Sequence, residues 1–427
     1  MSFNDFLLDA DTLAVADEAR LMVKDEIDPE YLRAMDRDEI KFPRKIYETY
    51  ARHNLLGIRF PKKYGGRGLN WVAAVATMAE IGSIGTACGC AYVMPDIVGE
   101  GLIRFGTEEQ KMKYLKPMLE GKLVAAEALT EPRGGSDFFG ATSRAIDKGD
   151  HFLVTGQKRF VVGAEGADFF LVYVRTNMDP KASPYERIST LIIDRSPEVE
   201  VKYLYGLMGT RGGGTGKITF RNVKVPKENL LGSLNGGALV FNRMMIPERI
   251  TSAAPCIGGM RAGLELAARY TDRRMAFGKK IRKFQLVSAM LARGITLMDA
   301  SAGIVYQAAL AADRDDPRVR RLASEAKRFV TDNSWEISNL VMQMMGGIGY
   351  TNVYPVERAL RDARLCQIWT GTNQIMDLMI QHDYYDELLK QIGRYRQSEL
   401  DAENAAAEEE KIYDDDDMWR VLEKENK

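Results

Sequence analysis

The pattern of hydrophobic and polar positions changes period twice along the chain. Up to about residue 120, apolar residues recur three and four apart in LAVADEARLMVKDEI, RKIYETYARHNLLGI and WVAAVATMAEIGSIG. That spacing turns one face of a helix toward a core. Pro61 and the Gly65-Gly66-Arg67-Gly68 turn punctuate these helices. Near residue 121 the segments become short and rich in β-branched and aromatic residues: HFLVTGQKRFVVG, DFFLVYVRT, ISTLIID, EVKYLYG and GKITFRNVKVP, separated by Gly, Asp and Asn turns. They predict an antiparallel β domain. The helical period then returns in RAGLELAARYTDRRMAFG, FQLVSAMLARGITLMDASAGIVYQAALAAD and VRRLASEAKRFVTDNSWEISNLVMQMMGG, helices long enough to pack as an antiparallel bundle. The predicted class is α+β and multidomain: an N-terminal helical domain over 1–120, a middle antiparallel β domain over 121–237, a C-terminal helical bundle over 238–395 and an acidic tail over 396–427. The tail reads as solvated, with a short helical end around Asp417–Lys424.

Composition narrows the function. The 427 residues suit two or three domains, and 45% apolar with 28% charged residues is an ordinary globular balance. A net charge of -1 gives no global basic field to hold nucleic acid or an anionic membrane. Phosphate binding must therefore come from local groups. Of the cysteines Cys88, Cys90, Cys256 and Cys366, only the first two are close, and a lone C-x-C is a poor zinc or disulfide signal. His53, His151 and His382 are scattered, which argues against a zinc hydrolase or a histidine-based triad. The acidic N-terminus lacks the basic and long apolar regions of a signal peptide, and no apolar run approaches the roughly 18–20 residues of a membrane span. The expected location is cytoplasmic, with reduced thiols and no membrane insertion.

Four segments carry candidate chemistry. In Leu129-Thr130-Glu131-Pro132-Arg133-Gly134-Gly135-Ser136-Asp137, the proline stiffens a turn and the glycines permit close backbone approach. Such a loop either cradles a phosphate or flavin carbonyl or is a plain turn. Gln343-Met344-Met345-Gly346-Gly347-Ile348-Gly349-Tyr350 follows a long apolar helix, so its glycines serve either a helix C-cap or a phosphate. Arg273-Arg274-Met275-Ala276-Phe277-Gly278, with Phe284-Gln285 behind it, offers an arginine fork or a solvated helix end. Ile368-Trp369-Thr370-Gly371-Thr372-Asn373-Gln374-Ile375 combines small residues and amides beside apolar flanks. It suits a planar ligand or a turn before a helix.

In this order and at these separations, the segments resemble the acyl-CoA dehydrogenase family from about residue 10 to 390. The shared motifs are the Pro61 to Gly68 loop, T-E-P-x-x-G-S-D, R-x-x-F-G, Q-x-x-G-G-x-G and G-T-x-Q. The resemblance implies a C-terminal four-helix bundle behind the helical and β domains. It also implies FAD, an acyl-CoA substrate, a homotetramer or dimer, and delivery of electrons to an electron-transferring flavoprotein. By residue, it implies flavin contacts at Leu129 and Thr130, a CoA contact at Ser136, and a flavin lining from Phe160, Val161 and Val162. Arg274, Phe277 and Gln285 would hold the FAD of a neighbouring subunit. Gln343, Gly346 and Gly347 would meet its pyrophosphate and adenosine, and Thr372 and Gln374 would also contact FAD. Val162 stands where the family often has Thr or Ser, which predicts a shifted flavin potential.

The reaction needs a carboxylate to take the proton from Cα and fixed donors to polarise the thioester carbonyl. Many relatives place a glutamate immediately before the G-T of G-T-x-Q; here that residue is Thr370. A subgroup resembling isovaleryl- and long-chain acyl-CoA dehydrogenases supplies it from an earlier E-R pair. That pair is Glu248-Arg249 here, in Met244-Met245-Ile246-Pro247-Glu248-Arg249. Glu248 is the predicted base, Arg249 a partner for the CoA portion or for local structure, and the Thr370 N–H a donor to the carbonyl. The other reading is a surface Glu-Arg at a helix start after Pro247. Ile246 stands where relatives often carry an acid. Asp96, after Pro95, is either a helix N-cap or a substrate-side acid able to serve a 1,4-elimination on a cyclic thioester. Small Thr370 favours a branched, long or cyclic acyl group. Competing readings are an enoyl-CoA reductase running the reverse reaction, a desulfinase-like lyase and a non-enzymatic flavoprotein module.

Overall fold

The computed structural model describes residues 8–390, 394, 396–405 and 407–409. The helical end expected around Asp417–Lys424 lies outside them. Local signals set the N-terminal helices. α1 (Ala10–Glu26) starts where Asp9 accepts a bond from the Thr12 N–H, and α2 (Pro29–Asp36) starts with Asp28 as cap and proline in its first turn. α3 (Arg44–Arg52) buries Ile46, Tyr47 and Tyr50, and α4 (Trp71–Ile81) is capped by Asn70. α5 (Thr86–Phe105) is buried over most of its length, with Pro95 inside it. Short α6 (Glu108–Gln110) and α7 (Lys116–Leu119) lead into the sheet.

The middle region is an eight-stranded sheet: β1 (Ala125–Ala128), β2 (Arg144–Asp147), β3 (His151–Val161), β4 (Phe169–Arg175), β5 (Ile188–Asp194), β6 (Val199–Leu204), β7 (Gly216–Pro226) and β8 (Leu230–Leu231). The order is β6-β7-β3-β2-β4-β5-β8, with β1 also on β4. Most pairings are antiparallel, as expected, but β1 and β2 run parallel to β4. Side-chain alternation divides two cores. Phe169, Leu171 and Tyr173 of β4 face the helices, while Phe170, Val172 and Val174 pack on the sheet's other side with Phe152, Val154 and Phe220.

The C-terminal helices are α8 (Gly237–Arg273), α9 (Gln285–Asp313), α10 (Val319–Met345), α11 (Val356–Cys366) and α12 (Asn373–Lys390), with a hairpin of β9 (Met275–Ala276) and β10 (Lys279–Lys280) after α8. Pro247 and Pro255 lie inside α8, so Glu248 does not stand at a helix start. Close backbone approach binds α8 to the N-terminal helices: a Cβ on Gly258 would sit 1.9 Å from the Ala79 carbonyl, and one on Gly82 1.9 Å from the Pro255 carbonyl. α9 is long and apolar enough to cross a membrane by length and composition. Contrary to the expectation from apolar runs, it passes that test, yet Met298, Val305, Ala308 and Ala309 are buried in the bundle. The described residues from 381 onward form a second compact unit. Among its described residues, Lys390 pairs with Asp386 and a single 3₁₀ turn covers Ser398–Asp401.

Candidate active site

Glu248 points into the protein interior and is 7% exposed. One helical turn on, the Ser252 hydroxyl donates to the Glu248 carbonyl at 2.7 Å and lies 3.1 Å from the Thr370 hydroxyl. Ser252 thus joins the two residues that the sequence pairs as base and carbonyl donor. Thr370 has φ 52°, a left-handed conformation uncommon for a β-branched residue and characteristic of constrained functional loops. Its N–H donates to no main-chain carbonyl among the described residues. Arg249 is buried within the bundle, where it donates to the Ser324 hydroxyl of α10 at 2.9 Å.

A second carboxylate, not anticipated from the sequence, faces Glu248. Glu127 lies in β1, opposite Leu171 of β4. Strand alternation turns it to the helix side of the sheet, as it does Tyr173, whose hydroxyl donates to Glu127 Oε1 at 3.1 Å. The carboxyl groups of Glu127 and Glu248 are within hydrogen-bonding reach of each other. Burial pushes both upward, Glu127 furthest, because the neighbouring acid adds to its cost of ionising. For Glu248, the hydrogen bond with Glu127 and the charge of Arg249 act against burial. Tyr173 closes this floor with an aromatic wall, its ring edge-on to Phe138, which stacks on Phe241 at 3.9 Å.

The T-E-P loop is tied to the end of β3. Lys158 is fully buried and donates to the Leu129 carbonyl and the Glu131 carboxylate, both at 2.9 Å. The Arg159 N–H donates to the Thr130 carbonyl at 2.8 Å. Burial would raise the Glu131 carboxyl, but Lys158 and the two Thr142 donors outweigh it and bring it down to about 2. Leu129 and Thr130 are thereby tied to Lys158 and Arg159, the residues that lead into Phe160, Val161 and Val162. β3 changes register between Lys158 and Val161, and such an irregularity re-aims side chains. Phe160 follows, with φ 55° and 44% of its surface exposed. Ser136 is exposed at the far end of the loop.

A flat cofactor suits this place. An exposed aromatic held in a left-handed conformation is an unusual expense without a ligand. In addition, the buried Nε1 of Trp369, next to Thr370, has no hydrogen-bond partner among the described residues.

The remaining predicted residues lie elsewhere. Arg274, Phe277 and Gln285 are exposed around the β9–β10 hairpin, Phe277 at 94%. Gln343 and Gly347 are exposed, and Gly346, φ 64°, caps α10. The Thr372 hydroxyl accepts from the Ile375 N–H at the start of α12, while Gln374 is exposed. Asp96 is no N-cap, since α5 runs through Pro95 and the helix begins ten residues earlier, at Thr86. Its carboxylate accepts from Arg59 Nε at 2.7 Å, and Arg59 also reaches Glu100 at 2.7 Å. Burial pushes Asp96 up to about 6 against the pull of Arg59. The structure brings Asp96 to Arg59, not to the group around Glu248.

Comparison with known proteins decides the family. The chain matches the N-terminal domain of acyl-CoA dehydrogenase over residues 9–122, the middle domain over 126–223 and the C-terminal domain over 235–384. It belongs to the acyl-CoA dehydrogenase family. This acyl-CoA dehydrogenase homologue is similar to a 3-(aryl)acrylate reductase of Clostridium sporogenes, with 35% identity over 80% of this chain and 90% of the relative. It is 34% identical to the CarC subunit of the caffeyl-CoA reductase-Etf complex of Acetobacterium woodii, over 85% of this chain and 95% of that protein. Bovine mitochondrial isovaleryl-CoA dehydrogenase is 31% identical over 84% of each chain. Among solved structures, butyryl-CoA dehydrogenase from Megasphaera elsdenii matches with a TM-score of 0.85 and 27% identity, over 90% of this chain and all of that one. The three-domain fold and the oxidoreductase class follow from this membership.

Sequence reasoning missed Glu127, Tyr173 and Ser252. One signal was available: Glu127 is the single charged residue in the apolar run Leu123–Leu129.

Proposed function

We propose that this family member is an FAD-dependent oxidoreductase that interconverts a saturated acyl-CoA and its α,β-unsaturated counterpart, with Glu248 as the base at Cα. The single observation that carries this reading is a buried Glu248 whose main-chain carbonyl accepts from Ser252, the residue that also meets the hydroxyl of the left-handed Thr370. FAD, when bound, supplies a hydride acceptor for Cβ at N5. Leu129, Thr130, Phe160, Val161, Val162, Thr372 and Gln374 would hold it from this chain. Gln343, Gly346, Gly347, Arg274, Phe277 and Gln285 would serve the FAD of a second copy, in keeping with their exposure. The N–H of Thr370 polarises the thioester carbonyl, which acidifies the Cα proton, and the Glu248 carboxylate accepts that proton. Ser136, exposed at the end of its loop, would meet the CoA portion, whereas Arg249, buried against Ser324, serves local structure beside the base. Four free buried cysteines agree with a reducing, cytoplasmic setting in which an electron-transferring flavoprotein is the partner.

Anaerobic addition of a panel of CoA thioesters (butyryl, isovaleryl, 3-arylpropionyl and cyclohexene-carbonyl) to the yellow protein tests the reading. One of them should bleach the flavin. The Glu248→Gln variant should keep its FAD and bleach at least 1,000-fold more slowly, roughly the span assigned to a general base at its upper end. Wild-type bleaching by this variant rules Glu248 out.

A second reading, reduction of an enoyl-CoA by electrons from a reduced electron-transferring flavoprotein, is favoured by the names of two relatives, the arylacrylate and caffeyl-CoA reductases. Redox titration with and without thioester separates the two. A flavin potential well below that of the bound thioester couple marks a reductase.

A further inference from the structure

A buried carboxylate keeps its charge only beside a cation or several donors; otherwise it holds its proton. Glu127 is 7% exposed, and its Oε1 has the Tyr173 hydroxyl. Its Oε2 is fully buried and has no hydrogen-bond donor among the described residues. What does lie within reach is the Glu248 carboxyl. Two carboxyl groups in that relation hold together only when one of them carries a proton, which then bridges the pair. The surroundings decide which one. Glu248 feels the guanidinium of Arg249, whereas the groups acting on Glu127 are Glu248 and Tyr173, neither of them a cation. From the neighbouring α5, the thiol of Cys90 feels the charge of Glu248 and is pushed up, chiefly by its own burial. Lys327 of α10 is turned to the Gly371 carbonyl and the Asn373 amide oxygen.

We propose that Glu127 is a positioning residue: it stays protonated and donates its hydrogen bond to the Glu248 carboxylate, holding the base ionised and fixed in orientation at neutral pH. This rests on Glu248 being the base. In turnover the Cα proton goes to Glu248 and Glu127 keeps its own, so no proton passes between the two acids. Without the donor, burial would keep Glu248 protonated to higher pH, and less of it would be competent to abstract a proton.

The test follows flavin bleaching by an active thioester in the FAD-loaded protein from about pH 5 to pH 9, the range in which a general base shows its ionisation. In Glu127→Leu, the acid limb should move up by about one to two pH units, the worth of one hydrogen bond to a charged group. Glu127→Gln, whose amide N–H can still donate, should restore the wild-type limb. A Glu127→Leu profile that superposes on wild type, or a Glu127→Gln profile displaced as far as that of Glu127→Leu, overturns the proposal. A second readout needs neither turnover nor the leucine variant. The difference infrared spectrum of wild type minus Glu127→Gln at pH 7 should contain the C=O stretch of a protonated carboxyl, and its absence also overturns the proposal. Glu248→Gln, run alongside, separates the two claims. If it bleaches as wild type does, the base assignment fails; if it is inert while the Glu127 variants leave pH profile and infrared band unchanged, only the pairing fails.

Discussion

At the scale of single residues, the site depends on acids whose surroundings set opposite charge states. Glu127 lacks a cation and is held protonated, whereas Glu131, four residues on, is anchored to Lys158 and to Thr142 and Ser143 donors. Replacing Glu131 by Gln would leave Lys158, fully buried, without its counter-ion. The expected loss is about 3–5 kcal/mol at neutral pH, the usual result of removing one partner from a buried pair, and urea denaturation would measure it. The sign with pH is fixed. The folded-state carboxyl lies near 2, below the ordinary value of about 4.3. Its stabilisation is present in full above that ordinary value and fades as the pH falls toward 2. The gap in denaturation midpoint between wild type and Glu131→Gln should therefore narrow across that window, and a constant gap would contradict the ion-pair account. Residue patterns exposed part of this. The T-E-P loop stands out by its proline and paired glycines, whereas the Glu248-Arg249 pair draws notice only through the resemblance to one subgroup of the family. Glu127 was not legible, since a lone acid between alanines carries no period and its partner Tyr173 is 46 residues away.

At the scale of elements, strands and helices were legible where one face meets a core and the other does not. The run GKITFRNVKVP is β7 end to end, and HFLVTGQKRFVVG contains β3. β1 and β2 escaped notice because AAEA and RAID are short and poor in β-branched residues. α5 is buried nearly all round, so it offers no single stripe. α8 begins 24 residues before the predicted RAGLELAARY segment and runs through two prolines; packing against the N-terminal helices outweighs the local preference for a break. Gly258 is where that packing is tightest. Gly258→Ala would force backbone apart, since its Cβ would fall 1.9 Å from the Ala79 carbonyl. A loss of about 3 kcal/mol or more is expected, the upper end of overpacking costs. The neighbouring Gly259 is the control: its Cβ would meet only the Gly82 carbonyl, at 3.8 Å. Gly259→Ala should be neutral or stabilising by up to about 1 kcal/mol, from helix propensity alone. Thermal midpoints of the two variants should therefore move apart, and equal midpoints would show that the α4–α8 approach is not a tight contact.

At the scale of the whole molecule, the exposed residues around the β9–β10 hairpin are the part a single chain does not explain. Phe277 is almost fully exposed and adopts φ 49°, its ring edge-on to Phe284; Leu286 is 81% exposed beside Gln285. Holding large apolar side chains in water, one of them in a left-handed conformation, costs stability that burial against another surface would recover. The R-x-x-F-G motif supplies both this apolar projection and Arg274, a cation suited to a pyrophosphate. A second copy of the chain bringing its cofactor to this hairpin would use both at once. Phe277→Asp should then lower the sedimentation mass toward that of the 47.9 kDa chain and, at the same protein concentration, reduce bound FAD per chain. Arg274→Gln should reduce FAD content with the assembly intact, because it alters the charge at the hairpin and leaves the apolar contact in place. If both variants keep wild-type mass and flavin content, the hairpin serves neither assembly nor cofactor. If Phe277→Asp dissociates the protein but each monomer keeps its FAD, the cofactor is held wholly within one chain, and the exposed glycines at the end of α10 need another role.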